Sequence, residues 1–186
     1  MKIFVGFLYI AIFGTSQACN SGCDSGWHRV NRTLGGWCVK IVHPCTATLN
    51  YAQAGAACAK RNAVLSSIES VAELDYFAHL QSLIGVTYSW LGAQPKPECD
   101  CGKSTCIKTS ECGIGTALEW TDNFTVGDAV IGDMSYDTTI FKDMYMYLTL
   151  TNQNTTHYLI NITIGLWDDV PTATYESALC GKKATH

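Results

Sequence analysis

The stretch Val64-Leu65-Ser66-Ser67-Ile68-Glu69-Ser70-Val71-Ala72-Glu73 decides the reading of this chain. It ends in Ser70-x-x-Glu73, the pattern of a capping box. In that motif each side chain bonds the other residue's free amide at a helix start. Val71, Leu74, Phe77 and Leu80 follow at helical spacing and give an apolar stripe. Gly85 supplies the residue that ends such a helix in the left-handed conformation. Upstream, the Ala-rich segment from Thr46 to Asn62 reads as a first helix, with Tyr51, Ala54 and Cys58 on one face.

Outside the helices the pattern changes to that of short strands. Trp37 to Val42, Thr87 to Ala93, Leu118 to Thr121 and Met144 to Leu150 are β-prone runs. Tyr158 to Ile164 alternates with period two, as a half-buried strand does, and sets Asn161 on the outward side. Two early helices followed by many short strands predict an α+β domain. Two irregular regions remain. Gln94 to Gly115 holds Cys99, Cys101, Cys106 and Cys112, a loop insertion stapled by cysteine. Asp122 to Asp143 carries several acids without a period.

Composition narrows the class. The chain has 186 residues, 12 Lys+Arg, 16 Asp+Glu and 10 Cys, and its net charge is -4. This is the size of one domain. Low charge without clustered cations argues against nucleic acid as a partner. Ten cysteines indicate an oxidising compartment. Lys2, the apolar run Ile3 to Phe13, and the small residues Ser16 and Ala18 read as a signal peptide over residues 1–18. The secreted domain is then 19–186, and no later run reaches the length of a transmembrane anchor. Asn31, Asn123, Asn154 and Asn161 each open an N-x-S/T sequon, consistent with a secreted, extracellular glycoprotein.

A family resemblance rests on motifs in a fixed order. Cys23 precedes Gly26-Trp27, and Trp37-Cys38-Val39-Lys40 follows. Thr48, Ala52 and Cys58 come next, then the quoted run from Val64 to Glu73. Ser89-Trp90-Leu91-Gly92-Ala93, Glu119-Trp120-Thr121-Asp122, Trp167-Asp168-Asp169-Val170-Pro171 and Ala178-Leu179-Cys180-Gly181-Lys182-Lys183 complete the series. The chain resembles the C-type lectin-like domain, in its secreted, single-domain invertebrate form, from Cys23 to Lys183. The resemblance implies a double-loop fold: two helices, small antiparallel sheets, disulfide staples and a long ligand loop. It implies that Cys58 pairs with Cys180 and Cys23 with Cys38. Cys19 with Cys45, and the four loop cysteines among themselves, are the pairings left over, and sequence does not fix them. A zinc ion on the loop cysteines is the alternative that an oxidising compartment disfavours.

Two departures from the family bear on function. The second disulfide near the ligand loop has no cysteine at either of its expected places, near Thr172 and between Met144 and Tyr147. The loop is then less constrained, or is held by packing. Sugar-binding members also hold calcium through an E-P-N or Q-P-D triplet and a W-N-D triplet. Such an ion takes six to eight oxygens, sugar hydroxyls among them. Here Trp167-Asp168-Asp169 stands for the second triplet, and no proline lies between Asp122 and Asp143. Asp168 and Asp169 are the candidate calcium ligands; the plainer reading is a solvated turn before Pro171. Asp128, Asp133 and Asp137 offer oxygens without informative spacing. Trp90, Trp120 and Trp167 read as core residues.

The five histidines are scattered, and neither H-E-x-x-H nor G-x-S-x-G occurs, so an enzyme is not expected. The resemblance implies a binding module for carbohydrate on cell or microbial surfaces, in innate defence, with calcium as the possible cofactor. The alternative is a calcium-independent scaffold that binds a protein or lipid. The acidic triplet favours the first, and the missing proline triplet favours the second.

Overall fold

The computed structural model describes residues 22–44, 47–97, 99, 118–127, 135–136, 144–150, 160–166 and 175–185. Ten strands and two helices lie in these segments. In chain order they are β1 (His28–Arg32), β2 (Gly35–Val42), α1 (Tyr51–Ala59), β3 (Val64–Leu65), α2 (Val71–Ile84), β4 (Tyr88–Trp90), β5 (Ala93–Pro95), β6 (Leu118–Trp120), β7 (Ser135–Tyr136), β8 (Met144–Leu150), β9 (Ile160–Leu166) and β10 (Ser177–Lys183). The main sheet runs β1-β2-β10-β4-β8-β9-β7, with β3 on β10, and β5 pairs with β6 in a second small sheet. Pairing is antiparallel except for β10 with β4 and β7 with β9. This is the α+β double-loop architecture.

Strand β10 is the organising element. Its residues Ala178, Leu179 and Cys180 are fully buried, and it touches β2, β3 and β4. Alternation sends successive side chains to opposite faces. On one face Trp37, Val39, Leu179, Ile68, Leu74, Phe77 and Leu91 form a core beneath α2. On the other, Val42, Ala54, Cys58, Leu65, Trp90, Ala178 and Cys180 form a second core beneath α1. Burial of Phe77, at 0% exposed, contributes about 3 kcal/mol toward holding α2. Disulfides join Cys58 to Cys180 and Cys23 to Cys38. Cys99 is buried and disulfide-bonded. Cys19, Cys45, Cys101, Cys106 and Cys112 lie outside the described residues.

The helices differ in detail from the sequence expectation. The first was expected over Thr46 to Asn62, but it spans only Tyr51–Ala59. Leu49 is held in a β-bridge with Tyr175, so the chain is extended just before the helix. Asn50 then caps it in a full capping box with Gln53. The second helix ends as expected at Gly85, whose φ is 72°. Its start is a correction. Ser70 does accept from the Glu73 amide at 3.2 Å, but the Glu73 carboxylate does not return to the Ser70 amide. It accepts from the Glu69 amide and from Arg32 instead. A charged partner is the stronger hydrogen-bond donor. The apolar stripe is corrected too. Val71 is half exposed, while Glu73 and Gln81 are buried among the apolar residues.

The expected strand from Thr87 to Ala93 is two strands, β4 and β5, broken at Leu91-Gly92. The Gly92 amide donates to the Ser66 carbonyl at 2.9 Å. Its own carbonyl accepts from the Thr121 amide and the Ser67 hydroxyl. A side chain at Gly92 would place its Cβ 2.3 Å from the Leu65 carbonyl oxygen. Only glycine fits where three backbone segments approach this closely. Strands β10, β1, β3 and β7 have no counterpart in the expected set. The last is a two-residue strand inside the stretch from Asp122 to Asp143 that was expected to be irregular. Strand β9 continues past the expected end at Ile164 to Leu166, and residues 158 and 159 lie outside the described residues.

Candidate functional site

The polar residues of the quoted run from Val64 to Glu73 converge on one buried guanidinium. Arg32, the last residue of β1, has no exposed side-chain surface. Its Nε and Nη2 each donate to Glu73 at 2.9 Å, a two-pronged pair on the first turn of α2. Nη1 donates to Asp122 Oδ2 at 3.2 Å and to Thr125 Oγ1 at 2.9 Å. Nη2 also donates to the Ser67 carbonyl at 2.8 Å. The planar fork of arginine suits this arrangement, because it presents fixed donors to two carboxylates at once. Trp37 lies against the group, 5.3 Å from its ring centre, and stacks on Phe124 at 4.5 Å.

Asp122 is the second pole. Its Oδ1 accepts from the Phe124 and Thr125 amides at 3.0 and 2.9 Å. Its Oδ2 accepts from the Ser67 amide at 2.9 Å and the Thr125 hydroxyl at 2.8 Å. Burial pushes this carboxyl up, but the amides of Ser67, Thr125 and Phe124 outweigh burial and hold it below its usual range. Glu69 stands beside it. Its Oε1 accepts from the Thr33 amide and hydroxyl at 2.7 and 2.9 Å, and its Oε2 from the Val126 amide at 3.0 Å. Burial also pushes Glu69 up, and these bonds bring it below the ordinary value.

The result is a clamp. It ties the β1–β2 turn, the start of α2 and the residues after β6 into one hydrogen-bonded body. It fixes the course of residues 121–127, just before the stretch 128–143. The carboxylate oxygens of Glu69, Glu73 and Asp122 already accept from protein donors, so these three acids are not arranged as cation ligands. Among the described residues no three His, Cys, Asp or Glu side chains converge to hold a metal ion.

Linkage gives this clamp a measurable signature. A carboxyl whose folded value is depressed contributes stability above its unfolded value, 3.8 for aspartate, and loses it as pH falls through the folded value. Stability should therefore be flat above about pH 5 and fall below about pH 4. Asp122→Asn should be less stable at neutral pH and show a shallower fall, measured by urea unfolding from about pH 6 to about pH 2. Parallel curves for both proteins would remove Asp122 from this account.

The residues singled out by sequence fall in three groups. Asn31 is exposed on β1, and Asn123 is exposed in the turn after β6 with a φ of 53°. Asn161 lies in β9 opposite Thr149. Asn154, Trp167, Asp168, Asp169, Asp128, Asp133 and Asp137 lie outside the described residues. Trp90 is buried and donates to the Leu49 carbonyl, whereas Trp120 is half buried and donates to the Gly127 carbonyl. Sequence reasoning did not single out Arg32 or Thr125. Arg32 gave no signal, since it looks like one more polar residue between two sequon positions. Thr125 was visible only as the third residue of the Asn123 sequon.

A sequence profile described as C-type lectin domain-containing protein 141/158 matches residues 28–128, more than half of the chain. The chain belongs to this C-type lectin domain family. Solved structures of similar fold agree. The domain is similar to the Ca²⁺-independent C-type lectin SPL-2 from Saxidomus purpuratus, with a TM-score of 0.54 and 16% identity, over 90% of this chain and 98% of that one. It is similar to SPL-1 in its GlcNAc complex, with a TM-score of 0.54 and 18% identity, over 88% and 97%. It is also similar to a Ca²⁺-dependent type II antifreeze protein in its Ca²⁺-free form, with a TM-score of 0.51 and 21% identity, over 87% and 100%. No curated protein matches the chain. At these identities the likeness establishes the C-type lectin fold. No helix among the described residues is long and apolar enough to cross a membrane.

Proposed function

We propose that the protein is a secreted, non-catalytic C-type lectin module that recognises carbohydrate at cell or microbial surfaces, with a role in innate defence. The profile match over 28–128 carries this reading, because it places the chain in a family of binding modules. The GlcNAc complex of the similar SPL-1 supports a sugar as the ligand class. Asp168 and Asp169 are the proposed calcium ligands, and glycans are proposed on Asn31, Asn123, Asn154 and Asn161. Calcium-independent binding of a protein or lipid is the second reading. The Ca²⁺-independent SPL-2 favours it, and so does the occupation of Asp122 and Glu73 by internal donors.

The test is thermal unfolding of the secreted protein in calcium and in chelator, with Asp169→Asn alongside. An ion that binds only the folded state raises the midpoint, by about 5–10 °C at a hundredfold excess over its dissociation constant. A rise that the variant loses supports calcium at Asp168 and Asp169, and a glycan array in calcium then identifies the sugar. An unchanged midpoint combined with calcium-independent glycan binding keeps the lectin and removes the ion. No binding to any glycan in either condition sinks the carbohydrate reading.

A further inference from the structure

The face of β1, β2 and β10 turned away from α2 carries an ordered set of cations that the proposed sugar site does not use. Arg29 pairs with Cys38 and Cys38 with Lys182, so these three residues form one row across three strands. Cross-strand partners share a face, and so does Lys40, two residues along β2 from Cys38. At strand spacings of about 4.8 Å, Arg29 and Lys182 start about 10 Å apart. The Cys23–Cys38 disulfide lies between them.

Lys182 and Arg29 are held in place. Lys182 Nζ lies 4.5 Å from the centre of the Trp27 ring and pairs with Asp24. Arg29 lies over Gly36 and donates to Asn31 Oδ1 at 3.4 Å; a Cβ at Gly36 would stand 2.8 Å from its guanidinium. Lys40 Nζ lies over Gly26, 3.2 Å from where a Cβ would be, and has no ion-pair partner among the described residues. Two glycines thus leave room for two of the cations. Fixing long side chains before binding removes much of the entropy cost of immobilising them later.

The charge is local. The whole chain carries a net -4, yet among the described residues this face brings together the cations Arg29, Lys40 and Lys182, with Asp24 paired to Lys182. Among the described residues the exposed large apolar ones are Leu34, Val64, Val71, Leu83, Ile84, Tyr88 and Val126, and none lies in these rows. A membrane-binding surface would be expected to carry apolar side chains for insertion. We propose that this face binds a polyanionic polysaccharide, sulfated or carboxylated, through Arg29, Lys40 and Lys182, independently of calcium.

The test is retention of the secreted protein on immobilised dextran sulfate, with neutral dextran as control and chelator present throughout. Retention on dextran sulfate alone, lost between about 0.05 M and about 0.5 M salt, is expected. Arg29→Gln with Lys40→Gln should weaken binding by at least about tenfold, while thermal unfolding shows the fold intact. Lys60→Gln with Arg61→Gln, two exposed cations after α1, should leave binding unchanged. Equal retention on neutral dextran would overturn the proposal, as would an unaffected Arg29/Lys40 variant or an equal loss in the Lys60/Arg61 variant. Binding to anionic phospholipid vesicles but not to dextran sulfate would overturn it in favour of a membrane surface. Because chelator is present, failure here leaves the calcium-dependent reading of Asp168 and Asp169 untouched.

Discussion

Arg32→Met should lower the free energy of unfolding by about 3–5 kcal/mol, the range for breaking one side of a buried charge pair. The side chain is fully buried and bonds two carboxylates, a hydroxyl and a carbonyl. Methionine fills much of the volume but supplies no donor. Glu73 and Asp122 would then stay buried with their charges uncompensated, and that residual cost dominates the change. Arg32→Lys should be intermediate, since an ammonium restores charge but cannot make the two-pronged contact with Glu73. Urea unfolding of the three proteins measures this directly. A loss under about 1 kcal/mol for Arg32→Met would mean that the clamp contributes geometry and little stability.

Cys58→Ser should be the other severe change. Cys58 and Cys180 are both fully buried and 122 residues apart. Closing a loop of that length restricts the unfolded chain by about 5 kcal/mol on the chain-entropy model. That is comparable to the whole stability of many domains. Expression through a secretory pathway should therefore give no secreted protein. Cys23→Ser opens a loop of only 15 residues, worth about 3 kcal/mol, and should leave some folded product. Normal yield of Cys58→Ser, or an order reversed between the two variants, would count against the staple as the main constraint on the fold.

Parts of the structure were legible because they depend on neighbours in sequence. Gly85 ends α2 because a left-handed residue needs no distant contact to be favourable there. The run Met144–Leu150 is a strand, as its composition indicates. The α+β class and the C-type lectin family were both readable from the ordered motifs around Trp37, Ser67, Trp90 and Cys180. Other features were not legible. Asn50 and Gln53 form the better capping box, yet Ser70 and Glu73 carry the more obvious pattern. The difference lies in Arg32, 41 residues upstream of Glu73, whose guanidinium draws the carboxylate away from Ser70.

The face of a helix also depends on what stands opposite. Val71 fits the apolar stripe of α2 but finds no core above it, so it is exposed. Gln81 breaks the stripe but is fully buried, because the Ser89 hydroxyl accepts from it at 2.9 Å. Helical spacing assigns positions to faces, and only the packed partners decide which face is inside.

By itself the sequence determined the fold class, the family and the end of α2 at Gly85, all of which rest on periodicity, turn chemistry and motif order. The tertiary structure alone decided that Arg32 sits between Glu73 and Asp122, that Gly92 is a crossing point, and that Arg29, Lys40 and Lys182 share a face. The physical reason is that each of these joins residues far apart in the chain. A buried ion cluster, a close backbone crossing and a cross-strand row exist only once strand order and register are set. No local pattern encodes them.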